Sequence, residues 1–216
     1  MIAEDFIAEQ CNAALFPVAL LDIPMVPPKK SKSRATTREA LLQAASQVVI
    51  DKGVEALTLD AVAQQAGVSK GGLLYHFPNK DALMTGMVEQ LIRDFDAVLQ
   101  LEFEQDDAPG TPGQWVRAYI RATLRFSKQS LALIARLTSI AADSPNLFEA
   151  AKVYDQQWRQ RIETSGIDPT KATIILLATD GLWLSEVFQV GTLEEPRLTQ
   201  VVETLLAMTR TTESVS

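Results

Sequence analysis

The stretch of residues 58–80 constrains the fold of this chain more than any other, because it predicts two short helices joined by a tight turn. Thr58 is a candidate N-cap for the first helix, and Gly67 can take the left-handed conformation that ends it. Ser69 then offers a hydroxyl cap to the second helix. The apolar residues of the first helix recur at helical spacing, at Leu59, Val62, Ala63 and Ala66. This pattern is typical of a helix-turn-helix.

The second helix, over about residues 69–77, has a surface that packing alone does not explain. Small, polar and basic side chains occupy most of it, namely Lys70, Gly71, Gly72, Tyr75 and His76. Small residues near a helix N-terminus allow close approach to a large partner, and the free backbone N–H groups there favour phosphate. A recognition helix enters the major groove of DNA with its N-terminal residues leading. The predicted partner is therefore double-stranded DNA.

The exit from this helix adds a further basic residue. The helix is expected to end at Phe77, before Pro78, and Asn79 can cap the helix that follows. Lys80 then lies in the first turn of that helix, where a positive charge opposes the helix dipole. A contact with a DNA phosphate explains this position, and a solvated lysine explains it equally well.

This stretch resembles the DNA-binding segment of the TetR family of bacterial transcriptional regulators. The resemblance rests on Leu57-Thr58-Leu59 leading into AVAQQAGVSKGGLLYHFPNKDAL, and it covers about residues 37–83. It implies an all-α homodimer, with an N-terminal DNA-binding domain of three helices and a larger C-terminal domain that binds a small molecule and dimerises. Many members carry an aromatic residue where this chain has Leu74, so we place the weight on Tyr75, His76 and Lys80.

The predicted elements divide the chain into three parts. We expect a flexible N-terminal extension at residues 1–33, a helix-turn-helix DNA-binding domain at 34–80 and a helical ligand-binding and dimerisation domain at 81–216. The first helix should be capped by Thr36 or Thr37 and run to about Lys52. A long helix at about 81–102 should follow the DNA-binding domain, and the acidic stretch 104–113, rich in Pro and Gly, should be a loop.

The charge of the chain is unevenly distributed around a formal net charge of −7. Residues 29–80 hold eight basic and four acidic side chains, whereas residues 1–28 hold four acidic side chains and no Lys or Arg. Residues 81–216 hold twelve basic and nineteen acidic side chains. A basic region on an acidic body suits a DNA-binding protein, because phosphate contacts supply most of the non-specific affinity. Random scatter of charge is the alternative interpretation.

The N-terminal extension lacks helix caps and has four prolines between Pro17 and Pro28. Little stable structure is expected there, and a translation start at Met25 is an alternative. The arm that follows carries Lys29, Lys30, Lys32 and Arg34. Such an arm can track phosphates or enter the minor groove, and a role as a solubilising tail is equally compatible with its composition.

The composition argues against an enzyme and against a cofactor or metal site. The chain has one cysteine, Cys11, and one histidine, His76, which falls inside the DNA-binding motif. Neither a Cys/His nucleophile nor a metal site is therefore expected, and no paired carboxylates occur at catalytic spacing. The most apolar runs are interrupted or too short to cross a bilayer. We expect no membrane association and a cytoplasmic location.

Five further helices are predicted after the loop, at about residues 114–127, 130–142, 145–164, 169–190 and 195–210. Aromatic and polar groups mixed into their apolar stripes are candidates for an effector pocket, since apolar walls with a few polar anchors suit a small organic ligand. These candidates are Trp115, Tyr119, Phe126, Phe148, Tyr154, Trp158, Asp180 and Trp183. Core packing is the alternative for each aromatic residue, and Ile174, Leu177 and Ala178 are predicted to be ordinary core residues.

The last two helices are the predicted dimer interface, because they carry more apolar residues than one small body needs. These are Leu176, Trp183, Leu184, Val187 and Phe188 in one helix and Leu198, Val201, Val202, Leu205 and Leu206 in the next. Two such pairs would form a four-helix bundle. A two-fold dimer would double the footprint on a palindromic operator.

The predicted function is sequence-specific transcriptional regulation by a homodimeric repressor that a small organic effector releases from DNA. A ligand-independent activator or architectural DNA-binding protein is the alternative. We assign Lys80, Tyr75 and the basic arm to phosphate contacts, and Lys70, Tyr75 and His76 to base edges. Lys70 can meet the acceptors of guanine. The predicted DNA-binding set also includes Thr58, Ser69, Gly71, Gly72 and Arg34.

Overall fold

A computed structural model describes residues 34–140 and 147–210, except for the side chains of residues 34–36 and 150. These residues form helices and no strand, in agreement with the all-α prediction. The helices are α1 (Arg34–Lys52), α2 (Leu59–Ala66), α3 (Lys70–His76), α4 (Lys80–Glu104), α5 (Gln114–Leu124), α6 (Lys128–Thr138), α7 (Glu149–Glu163), α8 (Pro169–Phe188) and α9 (Arg197–Met208), with a 3₁₀ helix (Val54–Ala56) before α2. None of the helices within the described ranges is both long and apolar enough to span a bilayer. The predicted extension, the basic arm and the side chain of Arg34 lie outside the described residues.

The helix boundaries around the helix-turn-helix follow the predicted caps. The Thr58 hydroxyl accepts a hydrogen bond from the Ala61 N–H at 3.1 Å, and the Ser69 hydroxyl accepts one from the Gly72 N–H at 3.1 Å. Gly67 ends α2 with φ 66° and ψ 32°, which is the left-handed conformation. Only α1 departs from prediction. It begins at Arg34 rather than at a threonine cap, because arginine and alanine are both strong helix formers and extend the helix backwards.

A first apolar core supports the helix-turn-helix but is not confined to it. Leu57 and Leu73, which hold α2 and α3 in place, are fully buried. They belong to the same cluster as Leu133 and Leu137 of α6. Partly buried aromatic residues of the 147–163 region also pack against it, namely Phe148, Tyr154 and Trp158. The core beneath α3 therefore continues into α6 and α7.

A second apolar core fills the remainder of the described chain. Its buried members come from α4, α5, α7, α8 and α9, and they include Phe95, Leu99, Trp115, Tyr119, Ile120, Ile162, Ile175 and Val202. Trp158 packs against this core as well as against the first one. The two cores are therefore joined by a shared side chain and by α4, which contributes residues to both.

α4 meets the helix-turn-helix at Gly86. A Cβ atom added there would lie 2.8 Å from Cε1 of Phe77 and 3.1 Å from Cδ2 of Leu42, so only glycine fits without a shift. Phe77, the first residue after α3, is 2% exposed. The Arg38 guanidinium lies 5.2 Å from the Phe77 ring centre, and its Nη2 is 3.3 Å from Oε2 of Glu89 on α4. These contacts attach the end of α3 to α4.

The segment between α4 and α5 is a loop, as predicted, and a buried arginine holds it. The side chains of Arg117 and Asp106 are both 0% exposed, with Nη2 and Oδ1 2.7 Å apart. Arg117 also donates to the backbone carbonyls of Pro112 and Ala108 at 3.0 and 3.1 Å. A charge-assisted network of this kind satisfies the donors of the guanidinium and fixes the loop on α5.

Two further arginines extend the network to α9. Arg121 bonds Asp106 and Asp107, and Arg210 bonds Asp107. The bonds from Arg210 and Arg121 hold the pKa of Asp107 well below its usual range. Burial alone would raise the pKa of Asp106, but hydrogen bonds from Arg117, a backbone N–H and Arg121 outweigh it and lower that pKa. Carboxyls with a lowered folded-state pKa stabilise the fold at neutral pH, and this stabilisation is lost as the pH falls.

α8 buries a different face from the predicted one. Ile174 and Leu177, predicted to be core residues, are 52% and 58% exposed, so that prediction is wrong. Because α8 is apolar on most of its sides, periodicity alone does not distinguish its inner face from its outer face. Four residues predicted for the dimer interface are instead buried within the chain: Leu176, Val187, Val202 and Leu205.

Replacing Arg117 by methionine should lower the free energy of unfolding by about 3 kcal/mol, the lower end of the cost of breaking a buried pair. The variant removes the fully buried partner of Asp106 and leaves only the half-buried Arg121 beside that carboxylate. Urea denaturation at neutral pH measures the change. Arg93→Met is the control, since Arg93 is exposed and lies 3.7 Å from Glu89, and losing a surface pair costs about 1 kcal/mol or less. Equal losses in the two variants would contradict a structural role for the buried pair.

Candidate nucleic-acid interface and effector site

The outer side of α3 is built from small, basic and aromatic residues. Leu73 is buried and anchors the helix, whereas Lys70, Gly71, Gly72 and Leu74 are exposed. Tyr75 is 66% exposed and its ring meets that of the half-buried His76 edge to face, with centroids 5.2 Å apart. The five residues predicted for the recognition helix thus lie on a helix whose apolar anchor faces inward.

Gly71 is not required by the interior of the protein. A Cβ atom there would meet no other atom within 4 Å, and glycine weakens a helix by about 1 kcal/mol relative to alanine. The position therefore carries a cost in helix stability without a packing reason. The sequence predicts close approach of an external backbone at this position.

Lys70 is paired rather than free. Its ammonium Nζ lies 2.9 Å from Oδ2 of Asp60, which is in the first turn of α2. The two side chains are 57% and 69% exposed, so both remain accessible to a partner. The sequence does not indicate Asp60 as a partner of Lys70, because the two residues lie at different helix starts and no periodicity joins them.

Lys80 has an internal acceptor. It is half-buried, and its Nζ donates to the backbone carbonyl of Val54 at 3.3 Å. This contact gives a structural reason for a cation at the start of α4, beside the phosphate contact predicted for it. The hydroxyls of Thr58 and Ser69 serve as helix caps and lie on exposed residues.

Leu74 is a further exposed residue of α3, with 39% of its surface accessible. An exposed leucine beside Tyr75 offers an apolar surface of the kind that contacts the methyl group of thymine. Sequence analysis gave it no role because it departs from the aromatic residue common in the resembling family. Its exposure makes it a candidate that the sequence pattern passed over.

Six of the seven aromatic residues predicted for the effector pocket come together in one ring cluster. Phe95 of α4, which the sequence analysis did not include, joins them: its ring centre is 4.8 Å from Trp158, 5.3 Å from Phe126 and 5.8 Å from Tyr119. Four further ring pairs complete the cluster, Trp115 with Tyr119, Tyr119 with Trp158, Tyr154 with Trp158, and Phe126 with Trp183. Phe148, the seventh, packs against the first core instead.

Polar groups line one side of the ring cluster. The Tyr119 hydroxyl donates to Oδ1 of Asp180 at 2.7 Å, and Nε of Arg159 lies 2.8 Å from Oδ2 of Asp155. The indole N–H of Trp183 is buried and has no hydrogen-bond partner among residues 34–140 and 147–210. A buried donor without a partner costs free energy, so this N–H is available to an acceptor on a ligand.

Burial perturbs both members of the hydrogen bond between Tyr119 and Asp180. Burial raises the pKa of Asp180, and this effect exceeds the lowering by the Tyr119 hydroxyl and by the charge of Arg159. Burial, together with the charge of Asp180, raises the pKa of Tyr119 well above its usual range. A carboxylate held in partly apolar surroundings next to aromatic rings is a polar anchor of the type found in effector sites.

The rings of the cluster are in mutual contact, and open clefts lie elsewhere. One cleft of about 320 Å³ is lined by Phe103, Trp115 and Arg161 together with neighbouring residues of the α4–α5 loop and the end of α7. Of the predicted pocket residues only Trp115 borders it. A ligand at the ring cluster must therefore part the aromatic side chains.

Replacing Asp180 by asparagine should stabilise the protein more at pH 7 than at about pH 4, near the pKa of an unfolded aspartate. Because the pKa of Asp180 is raised in the folded state, ionisation of this carboxyl opposes folding. This cost to the free energy of folding grows as the pH rises from the pKa of the unfolded state through the pKa of the folded state. Asparagine keeps an acceptor for Tyr119 and carries no charge. Urea denaturation at both pH values measures the difference, with the exposed Asp96→Asn as the control for net charge. A gain that does not grow with pH would contradict the assignment.

The chain is similar to known regulators along both of its parts. Residues 41–87 match the family model for bacterial regulatory proteins of the tetR family, and residues 113–210 match that for the tetracyclin repressor-like C-terminal domain. The HTH-type transcriptional regulator RutR of Escherichia coli (strain K12) is 34% identical over 100 residues. That match covers 46% of this chain and 45% of RutR, so the chain spans a little less than half the length of this relative.

Solved structures share the fold. A transcriptional regulator of Streptomyces coelicolor A3(2) superposes with a TM-score of 0.63 and 22% identity, over 82% of this chain and 99% of the other. The multidrug binding protein EbrR, in complex with malachite green, has a TM-score of 0.56 and 21% identity, over 81% of this chain and 98% of EbrR. At these identities the likeness concerns the fold alone.

The two family models cover both the helix-turn-helix and the C-terminal helices, and they describe DNA-binding regulators rather than enzymes. The chain belongs to the TetR family of bacterial transcriptional regulators.

Proposed function

We propose that this regulator is a cytoplasmic homodimeric repressor that binds a palindromic operator and leaves it when an aromatic organic effector enters the ring cluster. The observation that carries the DNA-binding part is the outer side of α3, where Lys70, Gly71 and Tyr75 are exposed while Leu73 anchors the helix. A helix of this kind can enter the major groove with its N-terminus leading. Repression is supported by the tetracyclin repressor-like C-terminal region.

The proposed DNA contacts fall into two groups. Base edges in the major groove are contacted by Lys70, Tyr75 and His76. The exposed Leu74 adds an apolar contact. Tyr75, Lys80 and the basic arm with Arg34 take phosphates, with Gly71 and Gly72 allowing the backbones to approach. Thr58 and Ser69 start the two helices at this surface, where a hydroxyl that caps a helix can still donate its proton to a phosphate.

The proposed dimer interface is the exposed apolar stripe of α8. Its members are Ile174, Leu177, Leu184 and Phe188, all more than 40% exposed, with Gly181 in the middle of the stripe. Successive members are three or four residues apart, which is the spacing of the contact positions in a pair of packed helices. A contiguous exposed stripe of this size is typical of an interface, and a two-fold axis would pair it with itself.

The proposed switch runs from the ring cluster to the helix-turn-helix through α4 and α7. Phe95 lies in the ring cluster, while Gly86 on the same helix holds Phe77 at the end of the recognition helix. Trp158 of α7 packs against both cores. An effector that parts Phe95 and Trp158 must shift one of these helices, and two packed arrangements of α4 would set the two recognition helices of a dimer at different spacings.

The proposed effector is an aromatic molecule with a hydrogen-bond acceptor. The ring faces around Phe95 favour stacking, and the Trp183 N–H has no partner in the described structure. EbrR, which shares the fold, binds malachite green. The alternative, a DNA-binding protein without a ligand switch, is favoured by the close mutual contacts of the rings. Operator affinity that stays constant across a broad screen of aromatic compounds would support that alternative.

Replacing Gly71 by alanine separates a DNA-binding role from a structural one. The variant should gain about 0.5–1 kcal/mol in stability, because alanine favours a helix and meets no neighbour. Its affinity for the operator should fall about tenfold, the effect of losing one good contact at a DNA interface. Fluorescence anisotropy with a duplex selected by the wild-type protein measures affinity. An unchanged affinity would contradict insertion of α3 into the groove.

Replacing Leu177 by glutamate should convert the dimer to a monomer and weaken operator binding, because two like charges would face each other across the proposed axis. Light scattering coupled to size-exclusion chromatography measures the oligomeric state. Val153→Glu is the matched control, since Val153 is 53% exposed on α7 and lies outside the stripe. A dimer that persists in Leu177→Glu would place the interface elsewhere.

A further inference from the structure

The contact between Asp60 and Lys70 brings an acidic side chain to the DNA-facing surface. Both residues stand at helix starts: Asp60 is in the first turn of α2, and Lys70 is the first residue of α3. Their charged atoms are 2.9 Å apart, and more than half of each side chain is exposed. The principal cation of the recognition helix is therefore neutralised in the unbound protein.

Stability explains the position of Asp60, since a carboxylate in the first turn of α2 is favoured by the dipole of that helix, but it does not explain the pairing with Lys70. An exposed ion pair contributes little to folding, and a cation at a helix N-terminus is opposed by the dipole of its own helix. The pair does change the charge that DNA encounters at the start of α3. A phosphate must compete with the Asp60 carboxylate for Lys70, and the carboxylate that is left behind repels the phosphates nearby.

We propose that Asp60 is a specificity-determining residue, which rests on the proposed role of α3 as the recognition helix. On a duplex of arbitrary sequence, Lys70 leaves the Asp60 carboxylate and binds a phosphate, so one ion pair replaces another. The unpaired Asp60 carboxylate is then repelled by the phosphates nearby. At the operator, Lys70 meets the O6 and N7 acceptors of a guanine, and Asp60 accepts from the amino group of a neighbouring cytosine. The pair thus reads a step that contains G·C and discriminates against other sequences.

The test compares wild-type protein with Asp60→Asn on two duplexes of equal length. One is the tightest binder that the wild-type protein selects from a random library, and the other has the same bases in scrambled order. Asp60→Asn should bind the scrambled duplex about three- to tenfold more tightly, as expected for the loss of one charge close to phosphates. For the scrambled duplex, the slope of log affinity against log salt concentration should be steeper for Asp60→Asn than for the wild-type protein. The difference should correspond to about one further phosphate contact. The affinity of Asp60→Asn for the selected duplex should not rise, so the ratio of the two affinities falls.

Two variants separate this effect from a general change in charge. Asp81→Asn removes an exposed carboxylate from the first turn of the next helix and should leave the ratio of affinities unchanged. In a Lys70→Gln background, Asp60→Asn should change scrambled-duplex affinity less than it does with Lys70 present, because the two side chains act together. Circular dichroism on every variant confirms that the helices are retained.

The outcomes distinguish the inference from the function on which it rests. Tighter binding of both duplexes by the same factor, an equal effect from Asp81→Asn, or an undiminished effect in the Lys70→Gln background would overturn the role of Asp60 alone. A wild-type protein that selects no preferred duplex would overturn the proposed function, and this inference with it. A reduced affinity ratio that depends on Lys70 supports the inference.

Discussion

The packing of Phe77 on Gly86 is the contact on which the rest of the arrangement depends. Phe77 ends the recognition helix, and a side chain on Gly86 would come within 2.8 Å of its ring. The guanidinium of Arg38 lies 5.2 Å from the centre of the same ring and also bonds Glu89. The orientation of α3 is therefore set by α4 as well as by the turn before it. The same helix carries Phe95 into the ring cluster, so α4 connects the two proposed sites.

The parts of the fold that the sequence predicts are those fixed by local chemistry. The caps at Thr58 and Ser69, the left-handed Gly67 and the helix end at Phe77 each depend on residues within a few positions, and each is observed. The DNA-binding set stays a prediction, and its members on α3 are exposed except for the half-buried His76. The sequence does not predict which side chains pair when they are distant in the chain. The Asp60 and Lys70 side chains lie at different helix starts, and no periodicity joins them.

The sequence did not predict every member of the proposed effector site, nor which face of α8 is buried. Six predicted aromatic residues do meet, but Phe95, which joins them, belongs to a helix whose apolar stripe looks like ordinary core. α8 is apolar on nearly every side, so hydrophobicity does not distinguish the exposed Ile174 and Leu177 from the buried Leu176. Only the packing of the other helices decides which face turns inward. The buried pair of Arg117 and Asp106 is equally hidden, because a charged residue on a helix is expected to face solvent.

Trp158 packs against both cores, and this affects how the protein unfolds. A domain that unfolds independently needs an apolar core of its own, and here the core under the helix-turn-helix includes Leu133 and Leu137 of α6 and rests against Trp158. Melting of the DNA-binding part would strip those residues of their partners and expose an indole that the second core also covers. We therefore expect amide protons in both cores to exchange through one cooperative opening rather than two. In that case residues 34–80 would not fold as a separate module.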